Sequence, residues 1–260
     1  MKRIDLLGAP GVGKSTLYES LRRHKKMTGW MAAGDVMILA AQRYLGEQGA
    51  SAGSILARFI LMAGSPRVLV PSVANKYVQR VKKMLLRDTS DQYAEWLNLV
   101  VKSVCASNAT NKSPLLVFHR CGLMLDAFAE TLIVNSMEGD EYVLIDESLT
   151  NKSHSVITDA DDLEVLEAYV NLMPKPDAVI YLEGDLREVL RRLESRTRTT
   201  VAHHNMTETE ISNSTRAALE ISRKCADLLE KTVPVCRLDA LKPIDHQTAA
   251  AVRFISTLAA

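Results

Sequence analysis

One run constrains this chain more than any other: Gly8-Ala9-Pro10-Gly11-Val12-Gly13-Lys14-Ser15. It follows KRIDLL (2–7), which reads as a short strand with Ile4, Leu6 and Leu7 apolar. It opens a stretch in which Leu17 and Leu21 fall four apart, on one face of a helix. The run fits G-x-x-x-x-G-K-[ST], and each fixed position has a physical reason. The glycines let the backbone curl so that successive N–H groups point inward at phosphate oxygens. The helix beginning at Lys14 presents its positive end to the same anion. Lys14 reaches the outer phosphates as a point charge, and the Ser15 hydroxyl is placed to ligate Mg²⁺. Gly8, Ala9, Pro10, Gly11, Val12, Gly13, Lys14, Ser15 and Thr16 are therefore expected to bind a nucleoside triphosphate.

The rest of the pattern alternates strand and helix. GWMAAG (29–34) reads as a short second strand, EYVLID (141–146) as a buried one, and AVIYL (178–182) and VPVCRL (233–238) as two more. Residues 35–137 are helical in pattern, punctuated by Gly49, Gly53, Gly64, Pro66 and Pro71. Leu115, Leu116, Phe118, Leu125, Phe128 and Leu132 look like the buried stripe of a long helix there. Residues 161–172 read as a helix with Leu163, Leu166, Tyr169 and Leu172 on one side, ended by Pro174 and Pro176. Leu186, Val189, Leu190 and Leu193 give an i, i+3, i+4, i+7 face, Thr207 with Glu210 a capping box, and Pro243 the first turn of a last helix. Alternation of this kind predicts right-handed crossovers and a mainly parallel sheet. The expected fold is a three-layer α/β P-loop NTPase fold, one domain over 1–260, with a large helical insertion. Ligands of such sheets lie beyond the carboxyl ends of the strands, where Gly8, Asp146, Gly184–Asp185 and Asp239 fall.

Composition excludes several classes. The 260 residues are 47% hydrophobic and 24% charged, an ordinary globular mix. No apolar run approaches the length needed to span a bilayer, and MKRIDLLGAPGVGKST has no signal-peptide core before its first glycine. The expectation is a soluble cytoplasmic protein, without a membrane partner. The net charge of +1 argues against a nucleic-acid partner. Yet residues 51–120 hold ten basic and three acidic side chains, and residues 121–185 two basic and fifteen acidic. This is either two solvated faces or a basic surface that receives an anionic substrate. Cys105, Cys121, Cys225 and Cys236 form no C-x-x-C pair and read as reduced, mostly buried thiols. The adjacent His203 and His204 are not expected to share a metal.

Asp146 ends a buried apolar strand, where an ionised carboxylate needs a partner such as the shell of a metal ion. Glu147, which follows it, separates two mechanisms. It either activates water, in an ATPase, or helps Asp146 place Mg²⁺ and an acceptor hydroxyl, in a kinase. Residues 176–185, PDAVIYLEGD, lead into 186–198, LREVLRRLESRTR. This resembles the strand, helix and arginine-rich lid of the P-loop nucleoside and nucleotide kinases, most like the thymidylate-kinase-like group. Val233 to Asp239 followed by Lys242-Pro243-Ile244 is similar to that family's last strand and closing turn. The resemblance covers about 1–30 and 140–260.

It implies phosphoryl transfer from ATP, with Mg²⁺, to a small-molecule acceptor such as a nucleoside, a nucleotide or another hydroxyl compound. It implies a lid over about 187–207 whose Arg192, Arg196 and Arg198 close over the phosphates, unless they merely pair with Glu188 and Glu194 along an exposed helix. It also implies an acid just after the second strand that holds or deprotonates the acceptor, for which Asp35 is the candidate. The stretch 35–137 would be the acceptor-binding part, with Arg120 either gripping an anionic group or bridging to the acidic segment. A homodimer stays open. The family's Asp-Arg-Tyr reads Asp146-Glu147-Ser148 here, which points away from thymidylate itself. Two other readings compete: a P-loop ATPase using Asp146-Glu147 as its Walker B pair, and a GTP-binding regulatory module. The second lacks N-K-x-D, since Asn111-Lys112-Ser113-Pro114 and Asn151-Lys152-Ser153-His154 have no Asp.

Overall fold

The structure, a computed structural model, describes residues 1–47, 69–107, 114–157, 159–195 and 206–259. Five strands lie in one parallel sheet: β1 Lys2–Leu7, β2 Met31–Ala32, β3 Tyr142–Ile145, β4 Ala178–Glu183 and β5 Val235–Asp239, in the order β2-β3-β1-β4-β5. Each falls within or across a run that the sequence marks as a strand. β1 is central, with Ile4 opposite Leu144 on one side and Ala178 on the other.

The two-residue period of β1 separates the layers. Ile4 and Leu6 pack with Leu17 and Leu21 of α1 (Lys14–Thr28), Val189 of α8 (Leu186–Glu194) and Ile255 of α10 (Ile244–Ala259). Leu7 packs in a second cluster with Trp96 of α4 (Ala94–Ser107), Phe128 of α5 (Pro114–Ser136) and Leu149 of α6 (Leu149–Val156). The same cluster takes in Tyr169 of α7 (Leu163–Leu172) and Leu229 of α9 (Glu208–Leu229). A third cluster joins α2 (Ala33–Glu47) and α3 (Leu69–Thr89) to Ile133 of α5 and to Val143 and Ile145 of β3. The sheet thus lies between helical layers, the three-layer α/β architecture with a parallel sheet that the sequence pattern leads one to expect. Among the described residues, no helix is long and apolar enough to cross a membrane.

Local chemistry sets the helix starts. Thr207 and Glu210 make the expected capping box of α9. Asp185 accepts from the Glu188 N–H at the start of α8, and Ser148 from the Asn151 N–H at the start of α6. Helix α6 was not expected from the sequence. The described part of 35–137 is helical, as α2 to α5. The apolar stripe on α5 is not buried throughout: Phe128 and Leu132 are, but Leu115 and Phe118 are 78% and 76% exposed and Leu125 is 45% exposed. The inward face of its first half is instead Val117, Cys121, Met124 and Phe128, which pack in the core. Among the cysteines, Cys225 is buried and Cys105 is exposed, and all four are free thiols.

The uneven charge is partly neutralised inside the fold. Lys82 of the basic α3 is nearly buried and lies 3.1 Å from both Asp126 and Glu130 of α5. A second charged feature is deeper. Arg3 and Asp5 of β1 are both fully buried, with Arg3 Nε 3.0 Å from Asp5 Oδ1 as an ion pair off the line of a hydrogen bond. Thr150 of α6 donates to Asp5 Oδ2, and Arg3 Nη2 donates to the Pro174 carbonyl. The Arg3 N–H donates to Asp177, and the Asp177 N–H returns to the Arg3 carbonyl. Removing one partner of such a pair strands a buried charge. Asp5→Ala is expected to destabilise the protein by about 3–5 kcal/mol, and Thr150→Val by about 1 kcal/mol, read from urea unfolding followed by circular dichroism.

Candidate active site

β1 ends at Leu7 and the chain turns at once into the glycine loop. Gly11 has φ +89°, and a Cβ there would meet Leu193 at 3.0 Å and Val189 at 3.2 Å. Only glycine combines that backbone with so close an approach of α8. Gly184 plays the reciprocal part after β4, where a Cβ would lie 2.6 Å from Val12 Cγ2. The loop is thus pressed against α8 by contacts that leave no room for a side chain. Lys14 is nearly buried, and its Nζ donates to the Gly8 carbonyl at 2.6 Å and the Ala9 carbonyl at 3.1 Å. Ser15 and Thr16 are exposed at the first turn of α1. The expected residues 8–16 form one continuous cradle at the carboxyl end of the central strand.

Arg192 reaches that cradle differently from a lid residue. Its Nη1 donates to the Val12 carbonyl at 2.7 Å, its Nη2 to the Ala240 carbonyl at 3.0 Å, and its Nε to Glu188 at 2.7 Å. It therefore ties the loop to the turn after β5. Glu188 also holds Arg191 through two 2.7 Å bonds. The two arginines hold the Glu188 carboxyl down to about 2, despite its surface position. Arg196 and Arg198 lie outside the described residues, as do the rest of 196–205 in the expected lid and with them the His203–His204 doublet.

The neighbouring strand supplies the acids. Asp146 follows β3 directly and is half-buried. Burial, then Glu147, then the more distant Glu130 raise its carboxyl above the usual range. Asp35 stands in the first turn of α2, just past β2, as expected. Tyr18 of α1 faces both acids: burial first, then Asp146 and Asp35, push its phenol up to about 12. Its ring lies 6.3 Å from that of Trp30. Asp146, Asp35 and Tyr18 thus gather beside the loop. Glu147 is more than half exposed and is engaged by Lys152 of α6 in an ion pair.

Two contributors were not expected from the sequence. Helix α6 carries Lys152 and His154 next to the loop. The His154 Nδ1 is sealed from solvent without a hydrogen-bond partner, although the residue keeps some surface. Burial, then Lys14, Lys152 and Arg120, hold its imidazole down to about 3, so it is neutral at physiological pH. Arg120 of α5 is half-buried, and burial lowers its guanidinium from its ordinary value. Its place on α5 is where the sequence put it. The pattern Asn151-Lys152-Ser153-His154 gave no sign of this role, because the role depends on α6 packing against α5 and the central strand.

The arrangement thus puts a glycine-rich turn with Lys14 folded over it near the half-buried Asp146 and the Glu147–Lys152 pair. No family model matches the chain, and no curated protein matches it. Solved structures similar over nearly its whole length include one described as deoxyadenosine kinase from M. mycoides with bound dCTP. It is 12% identical, covers 98% of this chain and 99% of that one, and has a TM-score of 0.46. The same kinase with products dCMP and a flexible dCDP is 12% identical over 98% and 99%, at 0.49. With bound dATP it is 13% identical over 99% and 100%, at 0.38. At such identities and scores, the chemistry of this chain rests on its own residues.

Proposed function

We propose that the protein is a phosphotransferase that moves the γ-phosphoryl group of ATP to a small-molecule acceptor. One observation carries this reading: the glycine loop, with Lys14 folded over its Gly8 and Ala9 carbonyls, sits beside the acid-lined end of β3. Successive main-chain N–H groups and the start of α1 would hold the triphosphate. Lys14 would exchange its carbonyl partners for β- and γ-phosphate oxygens, a charge-assisted contact stronger than the one it leaves.

The residues fit Mg²⁺. Asp146 is a half-buried carboxylate whose nearest charged neighbours include Glu147 and Glu130, a setting that a cation relieves. Among the described residues, no three His, Cys, Asp or Glu side chains converge on a metal site. Mg²⁺ commonly keeps water and phosphate oxygens as most of its ligands. Ser15 and Asp146 would hold it, and when bound it would neutralise charge on the transferring group.

The acceptor oxygen attacks the γ-phosphorus in line, the bond to the bridging β–γ oxygen breaks, and ADP leaves. Asp35 or Glu147 orients the acceptor or takes a proton from it, with Tyr18 as a neutral donor beside Asp35 and Asp146. Residues 35–137 form the acceptor side and residues 187–207 the lid. Within the lid, Arg192 serves as a brace for the loop. Arg196 and Arg198 are the proposed phosphate-closing pair. The Glu147–Lys152 pair weighs against an ATPase in which Glu147 activates water.

Lys14→Ala is expected to lower phosphoryl transfer by about 100-fold or more with an unchanged circular dichroism spectrum. Transfer at the wild-type rate would remove the loop from the chemistry. Asp146→Asn separates stability from function. Its carboxyl is raised in the folded state, so folding favours the protonated form and loses stability as pH rises through that range. The variant is therefore expected to melt higher than the wild type at pH 7 without metal, and to lose most Mg²⁺-dependent turnover. A lower melting temperature, with turnover intact, would place Asp146 in a structural role.

A further inference from the structure

We propose that the outer face of α3 docks a second copy of this chain through that copy's acidic segment, residues 159–167. Lys76, Arg80, Lys83 and Arg87 follow one another along α3 at steps of four, three and four residues. At a rise of about 1.5 Å per residue and about 3.6 residues per turn, they form one straight row about 16 Å long. All four are exposed, whereas Val78 and Val81 on the opposite face pack against α2 and α5. Arg80 lies over the Tyr77 ring, 5.3 Å from its centroid, which restrains its guanidinium. Arg87 has Asp88 at 2.8 Å, and among the described residues the other three cations pair with no acid. The segments outside the described residues contain no Asp or Glu. Like charges at these spacings oppose the helix that carries them.

The complementary surface is on the same chain but on other elements. Asp159, Asp161, Asp162, Glu164 and Glu167 are all exposed around the start of α7. Asp162 stands at the N-cap without making the cap hydrogen bond. Lys224 reaches this segment, but it is engaged by Glu220 at 3.2 Å and donates to the Ala160 carbonyl at 2.8 Å. Among the described residues, none of the five acids makes an ion pair. Leu163 sits among them, 43% exposed, as an apolar centre. The row and the acids of one molecule do not satisfy each other, since α3 packs on α2 and α5 while α7 packs on α4 and α9.

A second copy supplies what each surface lacks. The carboxylates of the segment would take the cations of the row in charge-assisted hydrogen bonds. Several charges on each side make this a network and not a single exposed pair. The contact joins two different surfaces, so it either grows head to tail or closes when a two-fold axis pairs both surfaces at once. A nucleic acid matches the row in sign, but it would also meet a molecule whose residues 121–185 carry fifteen acids against two bases. The contact does not depend on the phosphoryl-transfer chemistry.

The test is sedimentation of the full chain in about 0.05 M and about 0.5 M salt. Mass is expected to rise with protein concentration at low salt and to fall to the monomer at high salt. A row variant (Lys76→Glu, Arg80→Glu and Lys83→Glu together) and a segment variant (Asp161→Lys, Asp162→Lys and Glu164→Lys together) should each weaken association at low salt by about tenfold or more. Mixed one to one, the two variants carry opposite charges on facing surfaces and are expected to associate again. A misfolded variant would not restore it. If a triple variant fails to fold, Arg80→Gln with Lys83→Gln, which removes repulsion within α3, takes its place and should weaken association about tenfold.

A dimer and a longer assembly both support the contact. A chain that stays monomeric at low salt overturns it. Association that survives salt and both reversals runs through another surface, such as the exposed Leu115 and Phe118, and overturns it as well. Loss in the row variant without recovery on mixing removes the acidic segment as the occupant. A labelled single-stranded oligonucleotide that binds the wild type and not the row variant, while the chain itself sediments as a monomer, replaces the second copy with a nucleic acid.

Discussion

The buried Arg3–Asp5 pair in the central strand organises much of the molecule. A charged pair without solvent needs partners; Thr150 and the Pro174 carbonyl supply two of them, while Arg3 Nη1 has none among the described residues. Thr150 brings α6 down onto the sheet, Pro174 and Asp177 fix the chain as it enters β4, and Arg3 and Asp5 hold β1 between them. Because Thr150 is fixed, Lys152 and His154 are fixed two and four residues later on the same helix. A polar requirement in the central strand thus fixes the helix that carries Lys152 and His154.

The glycine loop is braced from the opposite layer. Val12, Val189, Leu193 and Gly184 pack where no extra carbon fits, and Arg192 spans from the Val12 carbonyl to the Ala240 carbonyl. The loop carries the strained backbone, and α8 and the turn after β5 keep it in place. A cradle of main-chain N–H groups is useful only if it is already shaped before a ligand arrives, since ordering it on binding would cost affinity. The packing here does that shaping with apolar contacts and one three-way arginine.

Much of this was legible in the sequence, and the reasons are specific. The loop, the five strands, the cap of α9 and the places of Asp35, Asp146 and Arg120 follow from local spacing and composition. The role of Arg192 was readable only in part. Pairing with Glu188 four residues earlier is visible in sequence, but the Val12 and Ala240 carbonyls lie 180 and 48 residues away along the chain. The stripe on α5 shows a different boundary. On a helix with apolar residues on more than one face, spacing does not tell which face is covered: Val117, Cys121 and Met124 pack inward, while Leu115 and Phe118 read as core and stand exposed. Asp5 and Arg3 fall inside an apparently apolar strand, and nothing local marks them as a pair. Lys152 and His154 acquire meaning only from the helix that places them.

The two tryptophans lie on opposite sides of the sheet. Trp30 packs with α1 and α10, beside Tyr18 at the acid cluster, and Trp96 packs against Phe128 and Tyr169 in the other layer. Each layer therefore owns a single indole emitter in an apolar setting. Replacing one at a time would let fluorescence follow the glycine-loop half and the α4–α7 half of the molecule independently as they loosen.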